Sequence, residues 1–131
     1  MKVFKYNTIE FYDTMCEWCK GHNFPEVSLS LMPKNIFVCH SDKGEPIYSI
    51  CFYYTDSRLC WIGWPVSNPS ANKEDKKGGL EFLINKVNKF AKDEGFKVVF
   101  TTSNTRAVES ALLNSGYGVG DTEVKHYLKE L

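Results

Sequence analysis

Apolar residues recur with helical spacing in three stretches of the chain. The first spans Asn7 to Lys20, and the second runs from Leu80 to Gly95. The third follows a capping residue at Ser103 or Asn104 and stops at Gly116. Glycine in a left-handed conformation commonly ends a helix, and one stands at each of the three ends. The pattern therefore predicts three helices, closed by Gly21, Gly95 and Gly116.

Between the first two helices the apolar period changes to two. Runs over residues 36–40, 47–55 and 59–66 are separated by turn residues, which predicts an antiparallel meander of three strands. Two further short strands are predicted, at 97–102 and at about 122–128. The predicted order is helix, three strands, helix, strand, helix, strand.

This order attaches one right-handed βαβ crossover to an antiparallel meander. The strands carry aromatic and β-branched side chains on both faces, as expected for a sheet that is covered on both sides. We therefore expect a single domain over residues 1–131, of mixed α/β (α+β) class. Its sheet should be mostly antiparallel, with helices on both faces.

Composition excludes several classes of function. Lys and Arg number 16 and Asp and Glu number 16, so there is no net charge to attract nucleic acid or an anionic membrane. No apolar run approaches the roughly 20 residues of a membrane helix, and the N-terminus lacks the pattern of a secretory signal. We expect a cytoplasmic protein, with no nucleic-acid or membrane partner.

The five cysteines are an odd number and lie mostly in apolar patterns, which suits free thiols in a reducing compartment. Cys16, Cys19 and His22 could suggest a redox or metal site. Both cysteines fall inside a predicted helix, however, and three ligands without a fourth do not make a structural zinc site. We expect core packing for both thiols, and no metal.

The junction between Val66 and Leu80 is the place where a ligand is expected. In mixed sheets a ligand tends to lie where a strand end meets the start of the next helix, whose free amides hold anions. The residues placed there are Lys76, Lys77, Gly78 and Gly79. Phosphate binding is one interpretation; a flexible helix start with solvated lysines is the other. Neither the Walker pattern nor the dinucleotide fingerprint is present.

From Ile36 onward the chain resembles the GNAT superfamily of N-acetyltransferases, including its compact phage and bacterial members. The order of elements agrees, and four segments carry the resemblance. They are Trp61 to Pro69, Lys76 to Gly79, Val98 to Asn104, and Ala107 to Tyr117.

The resemblance implies how acetyl-CoA is bound. In the family, the pantetheine arm pairs with the end of the fourth strand beside a bulge, and a glycine-containing loop holds the pyrophosphate. Aligning that loop on Gly78 puts Asp75 at a position where the family has arginine, and Leu80 at its second glycine. Asn104 matches an asparagine that faces the cofactor arm, although it could be a plain helix cap. The implied cofactor-binding residues are Trp64, Val66, Ser67, Lys76, Lys77, Gly78, Gly79, Leu80 and Asn104.

The residues that would transfer protons are less defined. Family members often place a tyrosine four residues before the glycine that closes the last helix, where it protonates the CoA thiolate, and here that position is Leu112. The candidate acids and bases are Glu26, Glu45, Tyr54, Asp56 and His126. Tyr54 could instead line an acceptor pocket, together with Trp18, Trp61 and Trp64.

Two functions are therefore expected. The first is an N-acetyltransferase that moves an acetyl group from acetyl-CoA to an amine of a small molecule or protein. The second is a catalytically silent GNAT-like protein that binds or inhibits a partner; if a phage encodes it, it would act in the host cytoplasm. A homodimer is left open.

Overall fold

The computed structural model describes residues 1–131 and contains five strands, four helices and one 3₁₀ turn. The strands are β1 (Lys2–Asn7), β2 (Asn35–His40), β3 (Pro46–Tyr53), β4 (Leu59–Ser67) and β5 (Val98–Phe100). The helices are α1 (Thr8–Gly21), α2 (Lys73–Lys76), α3 (Gly79–Asp93) and α4 (Arg106–Asn114), and the 3₁₀ turn is Leu29–Leu31. No helix has both the length and the apolar character needed to span a bilayer.

The strands form one sheet in chain order, β1-β2-β3-β4-β5. Neighbours are antiparallel except for β4 and β5, which are parallel and joined through α3. Since a parallel pair needs a crossover, α3 must lie against one face of the sheet. The predicted class, a mixed and mostly antiparallel sheet, is confirmed.

Each face of the sheet is buried under its own helices. On one face, Phe11, Met15 and Trp18 of α1 pack against Ile36, Val38, Cys51 and Val66 of the strands. On the other, Leu83, Val87 and Ala91 of α3 pack against Phe37, Phe52 and Ile62. Helix α4 extends this second side by packing on Leu80 and Ile84 of α3. Full burial of one large apolar side chain contributes roughly 1.5–3 kcal/mol, so the two cores hold the sheet from both sides.

Strand β1 was not predicted. It pairs along its length with β2, from Lys2 opposite His40 to Asn7 opposite Asn35. It is an edge strand in which only Val3 and Tyr6 are partly buried, and their spacing of three is not that of a strand. The expectation that the fold begins with a helix is therefore wrong by one element, because edge strands need no alternating pattern.

The strand predicted near 122–128 is absent. After α4 the chain has no regular secondary structure, and every residue from Gly118 to Leu131 is exposed. A period of two makes a strand possible, but a strand also needs a neighbour, and none of the hydrogen bonds involves these residues. This is a correction to the predicted order of elements.

Two helix ends also differ from the prediction. The last helix is capped by Thr105, whose Oγ1 accepts from Val108 N–H, rather than by Ser103 or Asn104. Gly21 does not adopt the left-handed conformation, which occurs at Asn23 instead. A Cβ at Gly21 would lie 2.5 Å from Cγ of Pro69, so glycine is needed there for close packing. Gly95 and Gly116 have the predicted positive φ.

Candidate active site

The parallel strands β4 and β5 separate partway along their length. They pair from Leu59 opposite Val98 to Trp61 opposite Phe100. One further link follows, in which Thr101 Oγ1 donates to the Ile62 carbonyl at 2.8 Å. Beyond Ile62, no hydrogen bond joins β4 to the chain that leaves β5. We call this opening the β4–β5 cleft.

A bulge in β4 accompanies the cleft. Cys51 of β3 pairs with Gly63 and Ser49 pairs with Val66, so β4 takes three steps where β3 takes two. Trp64, within the bulge, has a φ of 53°, which a bulky residue rarely adopts. Its indole N–H donates to the Tyr53 hydroxyl at 2.8 Å, a contact that holds the bulge in place.

Tyr53 is not among the residues that the sequence suggested for proton transfer. Its hydroxyl is hydrogen-bonded to the bulge residue Trp64 and donates to the Leu31 carbonyl at 3.4 Å. Burial raises the pKa of Tyr53, against a smaller lowering by the Trp64 contact. The phenol is therefore protonated at neutral pH and can act as a proton donor. Only the pairing across the bulge reveals it.

His22, the residue that ends α1, contacts the end of β4 from the face of the sheet that α1 covers. Asn68 N–H donates to the Ile47 carbonyl of β3. The Ser67 carbonyl belongs to the same peptide group and points in the opposite direction, away from β3. His22 Nε2 lies 2.9 Å from the Ser67 carbonyl and 3.0 Å from its Oγ. Because a carbonyl only accepts, Nε2 carries the proton in this contact. The sequence suggested only a redox or metal role for this residue.

Gly78 and Gly79 have different reasons to be glycine. Gly78 caps α3 with a φ of 74°, in the left-handed region. Gly79 is buried, and a Cβ there would lie 2.7 Å from Cδ1 of Ile47 and 3.0 Å from the ring of Tyr48. Close packing on β3 brings the start of α3 down to the level of the β4 end. Each glycine therefore has a structural reason of its own, whether or not the pair also binds phosphate.

The first turn of α3 presents free donors. The amides of Gly78, Gly79, Leu80 and Glu81 make no hydrogen bond within the protein. A helix of this length also carries a partial positive charge at its N-terminus. The free amides and the helix N-terminus together have the properties of an anion-binding site, which we call the seat.

The lysines around this seat are arranged by two contacts. Lys76 Nζ donates to the Asn68 carbonyl at 3.2 Å, which holds its charge beside the end of β4. Asp75 pairs with Lys43 Nζ at 3.1 Å. Lys43 comes from the turn between β2 and β3, so the negative charge of Asp75 is balanced by a residue distant in sequence. Lys77 is exposed and forms no ion pair.

The structure brings most of the predicted cofactor-binding residues to one end of the sheet. Trp64, Val66 and Ser67 lie along the far half of β4, and Lys76 to Leu80 lie in α2 and the start of α3. Asn104 is exposed in the segment between β5 and α4, on the opposite side of the cleft from β4. Leu112 is buried in the contact between α3 and α4.

The candidate acids and bases are scattered. Glu26 lies in the loop after α1, and its Oε1 is 3.9 Å from Lys20 Nζ. Tyr54 donates to Glu94 at 3.0 Å, at the far end of α3 and about 20 Å along that helix from Gly79. Burial and the neighbouring Glu94 raise the pKa of Tyr54 to about 12. His126 is exposed in the C-terminal segment, and Glu45 and Asp56 lie in turns between strands. No two of these residues share a hydrogen bond.

Two other features lie away from the cleft. A shallow depression of about 450 Å³ is lined by residues at the end of α3 and the start of β5, among them Asn88, Lys92 and Lys97. It faces the opposite end of the sheet from Ser67. Cys19 is buried in the α1 core, where desolvation raises its pKa, so its thiol is held in an unreactive form.

The sequence matches no family profile and no curated protein sequence. Solved structures, in contrast, match over nearly the whole chain. An aminoglycoside acetyltransferase from an uncultured soil metagenomic sample, in complex with sisomicin, is 13% identical with a TM-score of 0.75; the match covers 98% of this chain and 95% of that one. A Thermus thermophilus protein is 18% identical with a TM-score of 0.67, covering 98% and 97%. A Trypanosoma brucei acetyltransferase is 14% identical with a TM-score of 0.63, covering 97% and 99%.

This chain has the GNAT fold. The bulge in β4 and the β4–β5 cleft are thus features of a GNAT-type sheet, and the resemblance inferred from the sequence is confirmed at the level of fold.

Proposed function

We propose that the protein is an N-acetyltransferase that uses acetyl-CoA and acts on an amine of a small molecule or protein. The observation that carries the proposal is the β4–β5 cleft, which opens at the level of four unbonded amides at the start of α3. A cleft between strands accepts an extended arm through main-chain pairing, and free amides accept phosphate. Acetyl-CoA combines these two features, and the neighbours of known activity are acetyltransferases.

The residues present fit this co-substrate. The outward-facing main chain at the end of β4 would hold the pantetheine arm, with Trp64, Val66 and Ser67 lining it. The amides of Gly78 to Glu81 would hold the pyrophosphate, and Lys76 and Lys77 would add positive charge. Asn104 would lie across the cleft from β4. When bound, acetyl-CoA supplies the activated acyl group as a thioester.

The chain's own contribution to the reaction would be positioning and proton transfer. The acceptor amine must lose a proton before it attacks, and the thiolate that leaves must gain one. With Leu112 at the usual tyrosine position, we assign the donor role to Tyr53, which is protonated at neutral pH and bonded to the bulge. Glu26, Tyr54 and His126, the candidates from the sequence, do not contact the cleft. The amine proton would therefore leave through water.

The acceptor would approach on the α1 side of β4. Trp61 packs against Phe100 with ring centroids 4.6 Å apart, and both rings are partly exposed there. Trp64 is also half-exposed. These aromatic side chains would line one side of the acceptor pocket.

A catalytically silent binding protein is the competing function. It is favoured by one observation, that buried Leu112 cannot transfer a proton. The two functions share the cofactor site and differ in turnover. A panel of amines, including an aminoglycoside, a polyamine and a lysine peptide, distinguishes them when CoA release is followed with a thiol reagent. CoA release above the rate without enzyme supports the transferase, and binding without release supports the silent protein.

Calorimetry with acetyl-CoA and CoA tests the cofactor site itself. We expect binding to the wild-type protein, weakened roughly 5- to 10-fold by Lys76→Ala, because one charge-assisted contact to phosphate is lost. Lys92→Ala, at the other end of α3, is the matched control and should bind as the wild type does. Absence of binding to the wild-type protein at millimolar CoA would refute the proposal. Mass spectrometry of the purified protein for retained CoA is an independent check.

A further inference from the structure

The sheet is uncovered on its α1 side next to the bulge. Cys60, Ile62 and Val99 pack toward α3, so the residues that alternate with them on β4 and β5 face the α1 side. The core under α1 includes neither Trp61 nor Phe100. These two rings are exposed to 37% and 44%, with their centroids 4.6 Å apart. Together with two neighbours on the same side they form a surface that we call the aromatic face, made of Trp61, Phe100, Trp64 and Tyr53.

Gly63 keeps the middle of the aromatic face open. A Cβ there would lie 3.2 Å from Nε1 of Trp61, on the same strand, and 3.9 Å from the ring of Tyr53, on the neighbouring strand. Because glycine has no side chain, only main chain lies between these two rings. A flat apolar group can therefore lie against β4 here, immediately before the bulge where the β4–β5 cleft opens.

The segments that form the aromatic face carry no charge. The chain has 16 acidic and 16 basic residues, but none of them lies in the three strands concerned or in the loop that Tyr53 contacts, which are residues 27–33, 46–55, 59–67 and 98–105. Asp56 and Arg58 lie in the turn before β4, on the side of Trp61 that is away from the bulge. A cationic acceptor would lose its water here with no carboxylate to balance its charge, which is unfavourable. The face therefore fits an acceptor without a formal charge.

The bulge also has no base beside it. Tyr53 is protonated at neutral pH, because burial raises its pKa. The imidazole of His22 donates to the Ser67 carbonyl, three residues and about 10 Å of strand beyond Trp64. The acidic residues of α1 lie on the helix face opposite its buried side chains, and they are Glu10, Asp13 and Glu17. An acceptor whose nitrogen is already neutral in water would need none of these groups.

We propose that the acceptor is an arylamine, an amine whose nitrogen is bonded directly to an aromatic ring. The proposal rests on the acetyltransferase function proposed above. An arylamine is a weak base, because its lone pair is delocalised into the ring, and it is neutral at neutral pH. An alkylamine with a pKa of about 10 is neutral in only roughly one molecule in 10³ at pH 7. The acceptor ring would pack on Trp61 and Phe100 at the centroid spacing of about 4.5–7 Å that aromatic pairs prefer.

Transfer to an arylamine balances without a base in the site. The lone pair of the neutral nitrogen forms the bond to the acetyl carbon, and the carbon–sulfur bond breaks with its electrons on sulfur. Tyr53 gives its proton to that sulfur and regains one from water, while the nitrogen gives up one proton to water. The products are an aromatic acetamide and the free thiol of CoA.

Two isomeric acceptors test the proposal. p-Toluidine carries its nitrogen on the ring, and benzylamine carries it one carbon away, so the two differ in basicity but not in composition. With CoA release followed by a thiol reagent, kcat/KM at pH 7 should be roughly 10-fold or more higher for p-toluidine. The ratio of the two values should rise about 10-fold from pH 8 to pH 7, because only benzylamine loses its neutral form over that range. Spermidine, a polycation, should give no release above the rate without enzyme.

Trp61→Leu tests the aromatic face itself. The variant keeps an apolar side chain but removes the ring, so KM for p-toluidine should rise about 3- to 10-fold with kcat little changed. Phe4→Leu is the matched control. Phe4 is exposed to a similar extent, 43%, but lies on β1 at the other edge of the sheet, and its variant should keep the wild-type KM.

The possible outcomes separate this proposal from the transferase function. CoA release with benzylamine or spermidine but not with p-toluidine would overturn the arylamine assignment and leave the transferase function standing. A kcat/KM ratio that stays constant between pH 8 and pH 7 would also overturn it, since a base in the site would then be taking the ammonium proton. Equal effects of Trp61→Leu and Phe4→Leu on KM would exclude the aromatic face as the acceptor site. CoA binding without release for any acceptor would refute the transferase function, and the arylamine assignment with it.

Discussion

Gly78 and Gly79 are adjacent, but the structure requires glycine at each for a different reason. Gly78 needs a left-handed backbone and has open space around its Cα, whereas Gly79 has ordinary backbone angles and no room for a Cβ. A motif search treats the two as one flexible pair. Substitution should separate them.

Alanine at each position gives the first prediction. Gly79→Ala should lower the free energy of unfolding by about 1–3 kcal/mol, because the new methyl overlaps Ile47 and Tyr48. Gly78→Ala should cost only about 1 kcal/mol, from the strained φ. Urea unfolding of both variants measures the difference. Equal losses would contradict the packing argument.

The phenol of Tyr53 gives the second prediction. Tyr53→Phe removes the acceptor of the Trp64 indole N–H and should lower stability by about 1 kcal/mol. As the proposed proton donor, its loss should also reduce kcat by roughly 10² or more, with CoA affinity little changed. Tyr6→Phe, whose hydroxyl bonds to His40 at the distant β1–β2 edge, is the matched control. If kcat is unchanged while stability falls, Tyr53 holds the bulge and does no more.

At the scale of elements, the turn between β2 and β3 acts on the start of α3 through charge. Lys43 in that turn pairs with Asp75, a residue of α2. Asp75 lies three residues before the free amides of α3, so its charge opposes a bound phosphate unless it is balanced. The turn thereby contributes to a site that it does not touch.

Removing this balance gives the third prediction. Lys43→Ala should weaken CoA binding by about 2- to 5-fold, which corresponds to the usual range for an exposed ion pair. The effect should shrink in 0.5 M salt, where charges are screened. Lys89→Ala breaks a similar pair with Asp93 at the other end of α3 and should leave CoA binding unchanged. Calorimetry at two salt concentrations checks both.

At the scale of the whole molecule, buried thiols in the two cores make the free energy of unfolding depend on pH. Burial raises the pKa of Cys51 to about 12 and that of Cys39 to about 11. In the unfolded chain these thiols ionise near 9, so above that pH the unfolded state binds fewer protons than the folded state. Stability is therefore retained below pH 9 and lost as the pH rises toward the folded pKa values.

The fourth prediction follows from this linkage. Between pH 9 and 11 the free energy of unfolding should fall by up to about 1.4 kcal/mol per pH unit for each thiol. Cys51→Ala should be less stable at pH 7, because it leaves a small cavity, but its stability should fall less steeply with pH. Urea unfolding at pH 7, 9, 10 and 11 measures the slopes. Parallel slopes for the variant and the wild type would contradict the assignment to Cys51.

Sequence patterns predicted the helices and strands whose core-facing apolar side chains recur at regular intervals. The meander and the helices α1, α3 and α4 follow from periods of two and 3.6, since core-facing residues must recur at those intervals. Strand β1 and the fate of residues 122–128 did not follow, because an edge strand has a weak pattern and a strand-like segment still needs a neighbour. The proposed cofactor-binding residues came from the resemblance and from the junction at Gly78. The contacts of Tyr53, His22 and Lys43 were not predicted, because each joins residues that are distant in sequence.

The contact between His22 and Ser67 would couple ligand binding in the cleft to the end of helix α1. Helix α1 is fastened to the end of β4 by this hydrogen bond and by the packing of Gly21 on Pro69. A ligand that pairs with the Ser67 carbonyl competes with His22 for it. Amide hydrogen exchange in the last turn of α1 should therefore speed up when the β4–β5 cleft is filled, even though that turn lies on the far side of the sheet from α3.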